Sequence, residues 1–453
     1  MSDSFVLFQF SVVCLLDEDD KDLCFNFLGK FMKLLRHFLT TLYCLVIGSS
    51  VQAAGFNTPQ SGASYTAQGQ GGITFFDNAG LVAQNPAAMI KLEAGSHFYG
   101  GAAQYQTNYT YEDLNGNNKA ETVHSTSVVP HFYGLYNSKD WAAGTGIYFP
   151  FSNGLEWPDS WVGSQVLTKL RLATMNLPIV GAYSFGEYSV GGGLNFITAE
   201  VILENYAIRN PTVNLDVKAN LEGKGTTTGW NASALYDGGN IAAALAYNAA
   251  FTINGEGDAT FDISNPAILN ALIAGGAAPS FPNGNISVDI NYPALVEIAG
   301  SYKSFTSGDG YQAGAYAIEA GLLHAGWSAF DKIVIEYGNN LPASETVLDQ
   351  NWKDVIDYKI GGFYSVTDYT KIRGGYYKTA SPIPESTLAP TTPDGSGRNS
   401  LFLGAGYKQE AFLIDFAYLV SDFLPSETRT NPKLTGKYDG DATVLQLSAG
   451  YSF

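Results

Sequence analysis

The amino-acid sequence predicts an all-β protein: a transmembrane antiparallel β-barrel of about fourteen strands, closed by an N-terminal plug. Three observations carry that expectation. Charged residues make up only 15% of the chain, against about a quarter in ordinary soluble domains. The mean hydropathy is nevertheless −0.01, and no window after residue 54 offers the ~18 consecutive apolar residues that a helical span needs. From Gly95 onward, apolar and polar residues alternate with a period of two. A barrel reconciles all three, because lipid-facing and lumen-facing residues alternate and their hydropathies cancel.

The chain opens on an acidic stretch, with an acidic cluster from Asp17 to Asp22. A fresh start at Met32 begins MKLLRHFLTTLYCLVIGSSVQAA. Lys33, Arg36 and His37 form the basic region of a secretory signal, 38–48 its apolar region, and Val51-Gln52-Ala53 a small-residue cleavage site. Translation is then expected to start at Met32, which leaves residues 1–31 as a spurious upstream extension and makes 32–53 a signal peptide. Residues 54–94 are rich in Gly, Ala, Gln and Asn and follow neither the helix nor the strand period. Such a segment buries little apolar surface by itself, so it needs a container. The container is 95–453.

The strand pattern is clearest late in the chain. Phe412, Ile414, Phe416 and Tyr418 share one face, while Ala411, Asp415 and Ala417 share the other. Ile356, Tyr358, Ile360 and Tyr364 alternate with Asp357, Lys359, Gly361 and Ser365, and the same rhythm recurs at 188–196 and 371–376. The 28 tyrosines suit the aromatic girdles at membrane interfaces. Turn signals fall into two populations. Short ones lie at 137–140, 185–187, 237–240, 306–310, 367–368 and 408–410. Long polar connections alternate with them at 109–121, 152–168, 204–223, 256–285, 329–352, 380–399 and 421–441. Short turns on one side and long loops on the other are the arrangement of an outer-membrane barrel. The last strand ends on Phe453, a terminal aromatic that resembles the signal read by the bacterial barrel-assembly machinery.

Composition also excludes chemistry. A net charge of −18 would repel nucleic-acid phosphates. All three cysteines (Cys14, Cys24, Cys44) precede residue 54, so the mature chain has no disulfide and no thiolate metal site. Its histidines are His97, His124, His131 and His324, and Ser64 does not sit in a nucleophile elbow, because Gly62-Ala-Ser64-Tyr-Thr66 lacks the second Gly. No phosphate loop, zinc spacing or calcium loop is present, so neither an enzyme nor a cofactor is expected.

With plug, loop alternation and terminal strand in view, the chain resembles the FadL-type family of outer-membrane long-chain fatty-acid and hydrocarbon transporters. Three places carry the resemblance: Ala54-Gly55-Phe56 with Ser61-Gly62-Ala63; Asp77-Asn78-Ala79-Gly80 leading into Asn85-Pro86-Ala87; and Ser381-Pro382-Ile383-Pro384 with Asp394 and a strand at 401–407. The resemblance implies a monomeric fourteen-stranded barrel with an N-terminal hatch, in contact with outer-membrane lipid and lipopolysaccharide. Apolar extracellular loops would capture a long-chain fatty acid or similar hydrophobic compound. A pocket against the hatch would hold it, and hatch movement would release it sideways through a kink in the third strand. Phe56 matches the hatch tip, Asn85, Pro86 and Ala87 its contact with the wall, and Asn153 and Gly154 the kink. Pro150 and Pro158, which cannot donate ladder bonds, support an interrupted wall there.

Lys371 and Arg373 face the lumen if Ile372 and Tyr376 face lipid. They are candidate contacts for a ligand carboxylate, and pairing with wall acids such as Asp357 is the competing arrangement. The segment 204–223 departs from the family by being short and polar, whereas 266–274 keeps an apolar stretch suited either to ligand capture or to packing on its own barrel. The competing functions are uptake of aromatic hydrocarbons and a surface adhesin or phage-receptor barrel.

Overall fold

The computed structural model describes residues 55–453, apart from 59, 60, 76, 125 and 339–343. The expected start at Met32 and the signal peptide therefore lie outside the described residues.

Twenty strand segments combine into the fourteen staves of one closed antiparallel barrel. In chain order they are β1 (Gly95–Glu112), β2 (Lys119–Glu121 and Thr126–Asn137), β3 (Trp141–Ile147 and Ser152–Glu156), β4 (Lys169–Phe185), β5 (Tyr188–Asn210), β6 (Leu215–Asp237) and β7 (Ile241–Asn248 and Phe251–Ile263). They continue with β8 (Gly284–Tyr292 and Leu295–Lys303), β9 (Tyr316–Ala325 and Lys332–Tyr337), β10 (Glu345–Asp349 and Val355–Ser365), β11 (Thr370–Thr379), β12 (Arg398–Gln409), β13 (Phe412–Thr428) and β14 (Gly436–Ser452). Each pairs with its chain neighbours, and β1 closes the ring on β14 from His97↔Ser452 to Glu112↔Lys437.

The period-two pattern sets which way each side chain points. On β13, Phe412, Ile414, Phe416 and Tyr418 are exposed to the outside, while Leu413, Asp415, Ala417 and Leu419 are buried within. The same outward apolar row continues through Ile372, Leu401, Leu403, Leu445 and Leu447. A surface this apolar needs lipid around it.

Three features differ from the sequence expectation. The stretch 204–223 is not a loop. β5 and β6 are each 23 residues long and run through it, joined only by a turn at 211–214. Cross-strand pairing such as Glu204↔Asn220 and Leu203↔Leu221 satisfies the backbone that composition alone assigned to a loop. The connection expected at 306–310 is also longer, running from Ser304 to Ala315 and folding under the barrel, where Asp309 meets Lys408 at 2.6 Å. Finally, β3 is interrupted at 148–151, upstream of Gly154, which itself pairs in register with Arg171. One extra residue enters β3 there: Tyr148 faces Asn176, whereas Ser152 faces Ala173. Such a bulge bends a strand, and Pro150 at its centre cannot donate to a ladder.

The apolar stretch near 266 forms helix α3 (Pro266–Ala274), started by the Asn265 side chain accepting from the Ile268 N–H. It packs through Leu269 against Leu215 and Val217 of its own barrel. Among the described residues two α-helices precede it, α1 (Ala63–Ala67) and α2 (Leu81–Gln84), and both belong to the N-terminal segment. That segment lies inside the barrel, with nearly every described residue from Gly55 to Ile90 buried.

Candidate functional site

The inner segment is held by two kinds of contact. On one side they are charged. Asp77 accepts from the Arg373 guanidinium at 3.0 Å and from the Ser64 hydroxyl at 3.1 Å, with Lys371 at 3.5 Å. The other arm of Arg373 donates to Asp415 at 2.7 Å, and Tyr99 donates to the same carboxylate at 3.0 Å. Burial alone would raise the Asp77 pKa, but Lys371 and Arg373 outweigh it and hold the carboxyl at about 2. Further along, Glu319 accepts from the Thr74 N–H at 2.9 Å, from the Thr74 hydroxyl and from the Gly72 N–H. Lys359, paired with Glu297 at 3.0 Å, donates to the Gln70 carbonyl.

On the opposite side the contact is backbone against small residues. The Ala87 N–H donates to Ser233 at 2.9 Å, and Ser189 donates to the Ala87 carbonyl at 2.7 Å. A Cβ at Gly191 would stand 2.5 Å from the Ala87 nitrogen, and one at Gly375 would stand 2.3 Å from the Gly69 nitrogen. These two wall positions admit only glycine if the inner backbone is to approach so closely.

Above this base the barrel contains an apolar chamber. Leu170 and Leu172 of β4, Val201 and Leu203 of β5, Ile286, Val288 and Ile290 of β8, and Ile335 of β9 form its walls. The empty space amounts to about 790 Å³ when its open mouth is included. Phe56, the tip of the inner segment, forms part of the chamber's lining. Its ring meets Trp327 at 5.6 Å and Phe330 at 5.0 Å, both edge-on, and Trp352 at 5.1 Å. Below Phe56 a second space, about 810 Å³ with its open mouth included, has a mixed lining: Asn57, Asn176, Asn195, Asn248 and the Lys359–Glu297 pair stand among apolar residues such as Phe151 and Leu323. The inner tip and Phe151 border both spaces or the aromatic cluster between them.

The tip also completes the wall at the bulge of β3. Asn57 bridges Phe151, the Thr58 N–H donates to the Pro150 carbonyl at 2.7 Å, and the Ser152 N–H donates to the Phe56 carbonyl at 2.9 Å. Asn153 reaches the loop after β11, donating to the Thr391 carbonyl at 3.0 Å.

Of the residues singled out from the sequence, Phe56 and Asn153 lie at the chamber and the β3 bulge. Pro86 and Ala87 lie on the wall at β5 and β6, and Asn85 holds the inner segment together by donating to the Ile73 carbonyl at 2.7 Å. Lys371 and Arg373 do face inward, but the carboxylates they meet belong to Asp77 and Asp415. Asp357 instead accepts from Tyr377 and the Ala380 N–H. The sequence reading missed the aromatic cage; the spacing Trp327-Ser-Ala-Phe330 followed by Trp352, in a chain with only six tryptophans, was the available signal. It also missed Glu319 and Asp415 as partners of the inner segment, because single acids in strands carry no mark of what lies across the lumen.

Residues 44–453 match the family model described as "Outer membrane protein transport protein (OMPP1/FadL/TodX)". The chain is 26% identical over 395 residues to the long-chain fatty acid transport protein of Salmonella typhi, covering 80% of this chain and 85% of that one. It is 25% identical over 404 residues to the protein of the same description from Escherichia coli K12, with the same coverage. In fold it is similar to a Pseudomonas aeruginosa FadL homologue, with a TM-score of 0.76 at 20% identity over 88% of this chain and all of that one. It is likewise similar to the Pseudomonas putida toluene transporter TodX, with a TM-score of 0.66 at 17% identity over 88% and 99%. From a matched span that takes in the inner segment and all fourteen strands, the chain belongs to the OMPP1/FadL/TodX family of outer-membrane transport proteins.

Proposed function

We propose that this protein carries long-chain fatty acids or similar hydrophobic molecules through the outer membrane passively, with the apolar chamber as their binding site. The observation that carries the reading is a chamber lined by aliphatic side chains and bordered by Phe56, a residue of the one segment not built into the wall. Apolar burial supplies affinity at roughly 25 cal/mol per Å². Extracellular loops capture the ligand. Withdrawal of Phe56-Asn57-Thr58 from the β3 bulge then opens a sideways path into the bilayer. The space beneath favours this route, since an apolar molecule descending through it would meet Asn57, Asn176, Asn195, Asn248 and the Lys359–Glu297 pair among its apolar lining. Residues 54–94 act as the hatch and 95–453 as the barrel. The curated relatives named above favour a fatty acid.

One observation favours a neutral aromatic hydrocarbon as the second reading. Five cations are buried inside the barrel among the described residues, and each faces an acid of the chain: Lys303 with Asp237, Lys359 with Glu297, Lys371 with Asp77, Arg373 with Asp77 and Asp415, and Arg398 with Asp394. A carboxylate ligand would have to compete for one of them.

Native mass spectrometry of the detergent-purified protein, with oleate competing against toluene, tests both readings. Retained oleate that is lost in Phe56→Ala supports the fatty-acid reading. Retention of toluene alone supports the second, and binding of neither overturns the chamber as a ligand site.

A further inference from the structure

The lateral path proposed above requires a place where β2 and β3 do not bond, and the register shows where that place begins. The hairpin between them is set by the Ser138 N–H donating to the Trp141 carbonyl at 2.9 Å. Hydrogen-bonded pairs then recur at every second position, so the even-numbered residues of β2 aim their backbone groups at β3. The ladder runs from Asn137↔Ala142 to its last pair, Phe132↔Ile147. Continued by the same register, its next hydrogen-bonded rung would join residue 130 to residue 149. Residue 130 is proline. It has no N–H for the Phe149 carbonyl, and the ladder stops there.

The released groups are taken by the inner segment. The Thr58 hydroxyl lies 3.3 Å from the Phe149 carbonyl and 3.0 Å from the Ser152 hydroxyl, while the Thr58 N–H donates to the Pro150 carbonyl. A third proline stands on the other flank. β4 pairs with β3 as far as Thr145↔Ile179 and bonds it again through Tyr148 and Asn176, and Pro178 occupies the hydrogen-bonding position between them. Among the described residues, pairing between β2 and β3 resumes where the Val123 N–H meets the Glu156 carbonyl at 2.7 Å. Val128, on the length of β2 that pairs with β1 but not with β3, is exposed on the outer face. The gap starts seven residues above the turn, on the order of 20 Å of strand, within the reach of an apolar band about 25 Å tall.

We infer that Pro130 fixes the lateral opening: by withholding one ladder donor it keeps β2 from zipping onto β3 and leaves the Phe149 carbonyl for the hatch tip to seal. This rests on the lateral-release reading and names a residue that governs it. With Val129 buried inside, the side chain at 130 points outward to lipid, so valine fits there without entering the chamber. In Pro130→Val the new N–H competes with Thr58 for Phe149, and the closed wall gains a rung that hatch movement no longer breaks.

The test uses full-length protein in proteoliposomes, with uptake of a fluorescent long-chain fatty acid and native mass spectrometry of the same preparations. Pro130→Val is expected to lower the initial uptake rate by a factor of about three to ten, the worth of one net backbone hydrogen bond. Ligand retention and the heat-modifiable mobility of a folded barrel stay unchanged, and hydrogen exchange shows a protected amide at 130. A parallel arm attaches a bulky maleimide at Val128→Cys, on the lipid side of the gap, leaving Pro130 in place. If the bulky group blocks uptake and Pro130→Val does not, the Pro130 inference fails while lateral release stands. If the bulky group leaves uptake unchanged, lateral release fails and the inference with it. A Pro130→Val barrel that no longer binds ligand, or whose residue 130 amide exchanges freely, overturns the inference directly.

Discussion

The base and the tip of the inner segment are held to the same barrel by opposite means. The base, from Ser61 to Leu92, is tied by Asp77 to Arg373 and Lys371, by Thr74 to Glu319, and by Gln70 to Lys359, with wall glycines admitting its backbone elsewhere. The tip, Gly55 to Thr58, has only neutral hydrogen bonds to the β3 bulge and edge-on contacts with an aromatic cage. Removing one partner from a buried charged network costs about 3–5 kcal/mol. A neutral hydrogen bond contributes about 1 kcal/mol net, and an aromatic pair about as much. A segment built this way is held strongly at one end and weakly at the other. The lesson is that the hold on an enclosed segment is graded by what is left out of its contacts.

The comparison breaks most visibly at Arg373. Arg373→Met leaves Asp77 and Asp415 buried without their shared cation, and the base should come loose. We expect a loss of about 3–5 kcal/mol in urea unfolding and, in planar bilayers, a new conductance for small ions. An unchanged closed barrel would mean the charged contacts do not hold the base. Thr58→Val sharpens the other half. It keeps the shape of the tip and deletes its hydroxyl bonds, at about 1 kcal/mol. Amides 56–58 should exchange several-fold faster while the base and its conductance stay as they were. The smallest effect is that of acid. Asp77 has a folded pKa of about 2, below the ~3.9 of an unfolded aspartate. Its contribution is therefore fully present above pH ~4 and is lost as pH falls towards 2. Conductance should be flat from pH 7 to about 4 and rise below it; a rise near pH 6 would assign the lock to other groups.

The barrel itself was legible because alternation is a local signal. Ile414 and Asp415 declare their faces by being neighbours, whatever lies across the lumen. Loop lengths were less legible. In β5 and β6, polar strand tips above the membrane, such as Lys218 with Glu204 at 2.9 Å, satisfy each other across strands and look in sequence like a loop. The site was legible only in part. Phe56 and Pro86-Ala87 came from their resemblance to a known pattern. The interruption of β3 at 148–151 includes Pro150 and lies just before Asn153 and Gly154; the register that ends its ladder with β2 is invisible in a single run of residues. Arg373 was read correctly as inward-facing, but its partner Asp77 lies 296 residues away, beyond any local pattern.

The ring closes where the Ser96 N–H donates to the Phe453 carbonyl and the Phe453 N–H returns the bond to Ser96. His97 and Ser452, 355 positions apart, meet in the same seam. Contacts of such high contact order form late, so the sheet stays an open, curling ribbon until its final strand has been synthesised. The inner segment, made before any strand, has its charged partners on β9 to β13, among the last to appear. It must therefore wait on the concave face of the ribbon and be enclosed as the seam zips shut. Biogenesis and occlusion are then a single event, and a barrel sealed without its segment would have no later route to take it in.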